Sequence, residues 1–204
     1  MTSADLYELV PSLSRDLPGL ELGRPPWDLV ARIGAVIHSL AASGQLRDFG
    51  SRGENLFVHP DAELEPGSVI RGPAVIGAGC FVSATAYLRE GVILAAGARV
   101  GHAVELKSSI VGAGSALAHL CYVGNSLVGA GVNVEAGVVV ANHHNESPGT
   151  QVTVRWRAHT LETGLAKFGA VIGDHAKIGA NSVLSPGSII EPGAVVPRLT
   201  LVAQ

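Results

Sequence analysis

The stretch Val58-His59-Pro60-Asp61-Ala62-Glu63-Leu64-Glu65-Pro66-Gly67-Ser68-Val69-Ile70-Arg71-Gly72-Pro73-Ala74-Val75-Ile76 places an aliphatic residue at every sixth position. The series continues through Val82, Leu88, Leu94, Val100 and Leu106, and after a one-residue contraction through Val111, Leu117 and Val123. A second contraction gives Val128, Val134 and Val140, and past a gap come Ile172, Ile178, Leu184, Ile190 and Val196. All twenty positions are aliphatic in a chain where Val, Leu and Ile number 57 of 204 residues. Four residues after the aliphatic one sits a second, mostly small class: Ala62, Ser68, Ala74, Cys80, Ala86, Ala98, Ser115, Cys121, Ala176, Ser182, Ser188 and Ala194. Glycine commonly falls between them at the turn. A six-residue unit of this kind is a short strand plus a turn. Three units close a triangular coil of a parallel β-helix, and coils stack at the ~4.8 Å strand spacing. Twenty units give nearly seven coils, from about residue 57 to 196.

Composition agrees with a thin, repetitive interior. Hydrophobic residues make up 47% of the chain but aromatic ones only 4%, and glycine is enriched to 26 residues. A ring overfills so narrow a prism. Lys, Arg, Asp and Glu sum to −3, which offers no basic surplus for a nucleic-acid backbone. No run of 18 apolar residues exists, and Met1 to Leu20 carries acidic residues and no basic-then-apolar leader, so the expectation is a soluble cytoplasmic protein without membrane contact. Cys80 and Cys121 occupy the small inward position and read as packing residues.

Outside the repeat, Pro25-Pro26-Trp27 precedes Leu29, Val30, Ile33, Val36, Ile37 and Leu40, which predicts one amphipathic helix over about 26–43. Leu6, Leu9, Leu13 and Leu17 predict a second, short helix between Met1 and Leu20. Residues 1–50 are thus expected to form a helical cap on the open end of a β-helix spanning 57–204. The repeat breaks over about 143–165, which predicts a loop extruded from one corner.

The order Leu88-Arg89-x-Gly91, Val104-Glu105-Leu106-Lys107, His119-Leu120-x-Tyr122-x-Gly124, Asn133-x-x-Ala136-Gly137, Asn142, Lys167 resembles the acetyltransferase half of bacterial bifunctional N-acetylglucosamine-1-phosphate uridyltransferase/glucosamine-1-phosphate acetyltransferase. Arg89 to Asn142 aligns without a gap, and the resemblance covers about 57–196. The chain is also similar to stand-alone β-helix proteins labelled as sugar-phosphate nucleotidyltransferase relatives, through its Pro-Trp helix start and Thr163-Gly164-Leu165-Ala166-Lys167-Phe168-Gly169.

The resemblance implies a left-handed helix, a homotrimer, and an acyl-CoA-dependent N-acyltransferase acting on an amino-sugar phosphate such as glucosamine-1-phosphate. Arg89 and Lys107 would hold the phosphate, as a dianion demands paired cationic donors. Tyr122 and Asn133 would contact the sugar, and Asn142 and Lys167 would complete the acceptor site. Glu105 would hold the acceptor or orient Lys107. His119 is the implied general base, suited to take a proton from an attacking amine. Acetyl-CoA would lie along the C-terminal coils against Ala136 and Ala180, with the Ala136 N–H a candidate oxyanion donor. No metal is implied.

The chain departs from that family at Glu135, where Gly is expected, which sets a carboxylate near a site meant for phosphates. It departs again at His143, where Tyr is expected. Two other readings stay open. One is a non-catalytic β-helix that binds a sugar phosphate or nucleotide sugar. The other is a γ-class carbonic anhydrase, which needs three zinc-binding His, although the close His pair is missing near His119.

Overall fold

A computed structural model describes residues 3–17, 19, 20, 22–53 and 55–203; the outer bounds of the two expected units, 1 and 204, lie outside the described residues. The chain winds as a parallel β-helix. One face is a clean seven-stranded sheet, and the other two are joined into a 13-stranded sheet by strands that turn a corner without a break. In the first coils strand partners lie three full hexapeptides apart, Val58 with Ile76 and Leu64 with Val82. Val100 then pairs with Leu117, one position short of three units, and Val128 pairs with Ile172 across the insertion. The full spacing returns where Ile178 pairs with Val196. These offsets are the repeat, its contraction and its gap, now expressed as register. The twenty aliphatic positions form one core, eighteen of them buried and Leu64 and Ile70 partly buried.

The faces are numbered by the order in which the chain meets them. The first carries Leu56–Val58, the second Glu63–Leu64 and the third Val69–Ile70. The corner from the third face to the first is crossed by two long strands, Tyr87–Leu94 and Glu105–Val111. The shortened register begins in this pair, where Arg89 faces Lys107 but Val92 faces Ser109.

The helical segment does not cap the open end. It lies along the outer wall of the first face, where Leu6, Leu9, Trp27, Leu29, Val30, Ile33 and Ile37 pack against Val75, Ile93, Ile110, Leu127 and Val171. The reason is in those last five residues. Each precedes a core aliphatic and so points outward, and together they make a wall that must be covered. The expected helix over 26–43 is two helices, α2 (Pro26–Ala31) and α3 (Ile33–Ala42), with Arg32 between them at φ −106°, ψ 16°. Trp27 falls beside the apolar stripe of an unbroken helix; in the broken one its ring meets Phe168 edge-on at 5.8 Å. The first residues form a 3₁₀ helix, Ser3–Leu9, and α1, Ser12–Asp16.

The insertion is more than a loop. Residues 153–162 form an antiparallel hairpin, and Val152, Val154 and Trp156 fold back into the helical layer. At the hairpin tip Arg157 pairs with Glu8 of the 3₁₀ helix. No helix among the described residues is long and apolar enough to cross a membrane.

Asp174 ties this layer to the coils. Its carboxylate, 4% exposed as a residue, accepts the Ala130 N–H at 2.8 Å, the Ser12 N–H at 3.1 Å and the Ser12 hydroxyl. Asp174→Ala leaves two part-buried or buried N–H groups without an acceptor, and is expected to cost ~2–3 kcal/mol. A melting temperature lower by roughly 4–10 °C should accompany it. Amide exchange should quicken most around Ser12. A variant that melts with the wild type, with unchanged exchange there, would show that Asp174 is no latch.

Candidate functional site

The corner between the third and first faces stacks one residue of each coil above the next. Arg89 and Lys107 are register partners, and Arg71 precedes Arg89 by the same full coil, with its N–H on the Leu88 carbonyl at 2.8 Å. Three cations therefore line one column. On the third face beside them Tyr87, Glu105 and Tyr122 are also register partners, one above another. An open cleft of about 540 Å³ is lined by Arg71, Gly72, Tyr87, Arg89, Glu90 and Glu105.

The cations are already organised by carboxylates. Glu105 Oε1 accepts from Arg89 Nε at 2.8 Å and from Nη2 at 2.6 Å, and Arg89 Nη1 donates to Glu90. Lys107, its side chain 8% exposed, donates to Glu90 Oε2 at 2.9 Å. The Lys107 ammonium holds the Glu90 carboxyl below the usual carboxylate range. Glu105 was expected to hold the acceptor or orient Lys107; it orients Arg89 instead, and Glu90 orients Lys107. Glu90 and Ser108 both adopt left-handed backbone (φ 55° and 45°), and the Ser108 hydroxyl donates to the Glu90 carbonyl at 2.9 Å. The corner is built to a fixed shape.

Below the cations lies an amide pair. Asn142 Nδ2 donates to Asn125 Oδ1 at 2.7 Å, and the Asn142 side chain also hydrogen-bonds Tyr122. Burial, then the nearby Glu105 carboxylate, raise the Tyr122 hydroxyl above its ordinary range, so it stays a neutral donor. Gly124 makes this approach possible, since a Cβ there would lie 2.5 Å from the Tyr122 hydroxyl and 2.7 Å from Asn142 Nδ2. Lys167 is exposed and sits next to this pair, because the Phe168 N–H donates to the Asn142 carbonyl at 2.9 Å. His143 Nδ1 lies 3.0 Å from Asn142 Oδ1. Arg89, Glu105, Lys107, Tyr122, Asn142 and Lys167 thus gather at one corner and the face beside it.

The other residues do not join them within one chain. His119 is exposed at the opposite end of the third face, at the corner it shares with the second face. Its carbonyl accepts the Gly137 N–H at 3.0 Å. Asn133 is exposed on the second face, in a groove with Glu135, Lys177 and Arg198.

Ala180 was expected to contact acetyl-CoA, yet its N–H donates to Glu135 Oε2 at 2.8 Å. Arg198 closes on the same carboxylate with both contacts at 2.7 Å, and with the Ala180 N–H it lowers the Glu135 carboxyl to about 2. Glu65 does the same four coils earlier, accepting the Ala84 N–H at 2.7 Å and the Ser83 hydroxyl at 2.8 Å. Glu135 is therefore a corner staple of the repeat with its charge neutralised, rather than a free carboxylate facing a phosphate site. Among the described residues no three His, Cys, Asp or Glu side chains converge as a metal centre.

Three residues of this corner escape the family pattern. Arg71, Glu90 and Tyr87 carry no motif, although the one-coil spacing of Arg71, Arg89 and Lys107 is readable in the sequence. The guanidiniums of Arg71 and Arg89 each lie over the Tyr87 ring, 5.8 Å from its centroid.

The bifunctional sugar-1-phosphate nucleotidylyltransferase/acetyltransferase of Sulfurisphaera tokodaii is 32% identical over 165 residues, which cover 79% of this chain and 40% of that protein. The bifunctional protein GlmU of Streptococcus pyogenes is 35% identical over 126 residues, 60% of this chain and 23% of that one. The chain therefore spans less than half the length of either relative. A hexapeptide transferase family protein from Anaplasma phagocytophilum aligns in structure over 71% of this chain and 70% of its own, at 16% identity and a TM-score of 0.39. Residues 52–157, more than half the chain, match the model of the GMPPB C-terminal domain, and the chain belongs to that family.

Proposed function

We propose that this chain is an acyl-CoA-dependent N-acyltransferase, with acetyl-CoA as co-substrate and an amino-sugar phosphate such as glucosamine-1-phosphate as acceptor. The observation that carries the reading is the convergence of Arg89, Glu105, Lys107, Tyr122 and Asn142 on one corner, with Lys167 beside them. Such a set suits a phosphorylated sugar. The two cations face the phosphate, and the phenol and amide serve as neutral hydrogen-bond partners for hydroxyls.

His119 is the proposed general base. The acceptor ammonium first gives one proton to solvent, and His119 takes the next as the neutral amine nitrogen forms its bond to the acyl carbon and the carbon–sulfur bond breaks. The same imidazolium returns the proton to the departing thiolate, so the products are an amide and free CoA. The Ala136 N–H is the proposed oxyanion donor. His119 and Lys107 stand at opposite ends of the third face, so a complete site draws on a second copy. A homotrimer is proposed on that ground. Val139, Val183 and Leu201, stacked on the third face and exposed, with Leu120 and Leu199 at its corner, give an apolar strip for such an interface.

The test is thiol release from acetyl-CoA in the presence of a panel of amino-sugar phosphates. Release that depends on the acceptor, with glucosamine-1-phosphate among the active ones, is the expected result. A chain that neither turns over the panel nor binds acetyl-CoA would overturn it in favour of a non-catalytic sugar-phosphate binder. That second reading is favoured by one observation, the Ala180 N–H already held by Glu135.

A further inference from the structure

The two cations proposed for the acceptor's phosphate already hold carboxylates. Arg89 donates Nε and Nη2 to Glu105 and Nη1 to Glu90, and Lys107 Nζ donates to Glu90 Oε2 at 2.9 Å. Glu90 is the one carboxylate paired with Lys107 among the described residues. A phosphate can take both cations only where a carboxylate steps aside. The two carboxylates are unequally placed to do so. Glu105 lies along the Arg89 guanidinium with two contacts to one oxygen, and its side chain is 34% exposed. The Glu90 side chain is 55% exposed, while its backbone is pinned at the corner by the Ser108 hydroxyl on its carbonyl. Rotation about its side-chain bonds is enough to carry its carboxylate off both cations into water.

A sugar phosphate without an amine gains little from that exchange. It sets a phosphate dianion beside a displaced carboxylate that has no cation of its own, and like charges repel. An amino-sugar phosphate brings the missing partner. In glucosamine-1-phosphate the ammonium and the phosphate stand on neighbouring carbons, so a carboxylate displaced by the one is still within reach of the other. Charge agrees with this. Arg71, Arg89 and Lys107 against Glu90 and Glu105 leave a surplus of one positive charge. A ligand with a dianionic phosphate and an ammonium carries about one net negative charge to match it. We propose that Glu90 is the residue that selects an amine-bearing acceptor: the phosphate displaces its carboxylate from Lys107 and Arg89, and the carboxylate then pairs with the acceptor's ammonium. This role rests on the reading of the corner as the acceptor site, and it does not rest on acyl transfer.

The experiment is titration calorimetry of the full chain with glucosamine-1-phosphate and with glucose-1-phosphate, without acetyl-CoA, at one fixed ionic strength. A pH of about 7 keeps the phosphate mostly dianionic and the amine mostly protonated. The proteins are wild type, Glu90→Gln and Glu63→Gln. Glu63 is an exposed carboxylate on the second face, so its loss removes the same charge from elsewhere. Wild type is expected to bind the amino sugar at least about tenfold more tightly than glucose-1-phosphate, the size of one charge-assisted contact. Glu90→Gln should bind glucose-1-phosphate at least about threefold more tightly than wild type does, and should narrow the difference between the two ligands to within about threefold. Glu63→Gln should match wild type. A merely structural Glu90 would weaken both ligands when lost. That outcome, equal tightening of both, no change in either, or the same shift in Glu63→Gln would each overturn the assignment. Wild type that binds both sugar phosphates alike removes Glu90 from selection and leaves the acceptor site in place. Wild type that binds neither overturns the acceptor reading, and the role of Glu90 with it.

Discussion

His119→Ala is expected to lower kcat for acetyl transfer by roughly 10²–10⁴-fold, the range for loss of a positioned general base. Binding of the sugar phosphate should change little, because Arg89, Lys107 and Asn142 lie at the other end of the third face. Stability should not change either, since the His119 side chain is exposed and packs into no core. A variant that keeps its rate within about threefold would remove His119 from the chemistry. A variant that loses sugar-phosphate binding instead would make His119 a binding residue.

The reach of the sequence differed between the inside and the outside of the prism. The inward positions recur in every hexapeptide and are all aliphatic, so register and the place of the insertion could be read before any coordinates. The outward positions of a given face recur only once per coil. Phe57, Val75, Ile93, Ile110, Leu127, Val171 and Ile189 each stand just before a core residue, and all are apolar. The equivalent positions of the second face include Glu63, Arg99, Asn133 and Lys177. That contrast announces a covered wall, and it places the helices along the first face. A reading that followed only the inward residue sent them to the open end.

The candidate site divides in the same way. Arg89, Lys107, Tyr122 and Asn142 keep their spacing along the repeat, and the coil stacks them. The ion pairs between neighbouring coils carry no motif, so Glu90 on Lys107 could not be anticipated. Arg198 lies far beyond Glu135 in the chain, and its corner brings it there only because the insertion drops out of the stack. Glu135 consequently looked like an intruding charge in the sequence and is a neutralised staple in the fold.

Gly101→Ala should be the most damaging small substitution in the coils. Gly101 follows the core residue Val100 at the corner that carries His102 and, one coil on, His119. Its N–H donates to the Leu117 carbonyl at 2.8 Å. A Cβ on Gly101 would stand 1.5 Å from the Ala118 carbonyl oxygen and 2.7 Å from its carbon. Both are backbone atoms, so no rotamer relieves the overlap and the two coils must part. The expected cost is at least ~4 kcal/mol, above the ~1–3 kcal/mol usual for an overpacked side chain.

Gly114→Ala isolates the cause. Gly114 has φ +65° with nothing within 4 Å of its Cβ position, so its penalty is the left-handed backbone alone, ~1–2 kcal/mol. Ala103 and Leu120 already tolerate that conformation at other corners. In thermal unfolding Gly101→Ala should therefore melt at least about 8 °C below wild type and Gly114→Ala only a few degrees below it. Because the displaced segment is Ala118-His119, a Gly101→Ala chain that still folds should also lose acetyl transfer out of proportion to its stability, while Gly114→Ala should not. Equal melting of the two variants would mean that neighbouring coils yield at this corner, and that the 1.5 Å approach is not what sets the coil spacing beneath His119.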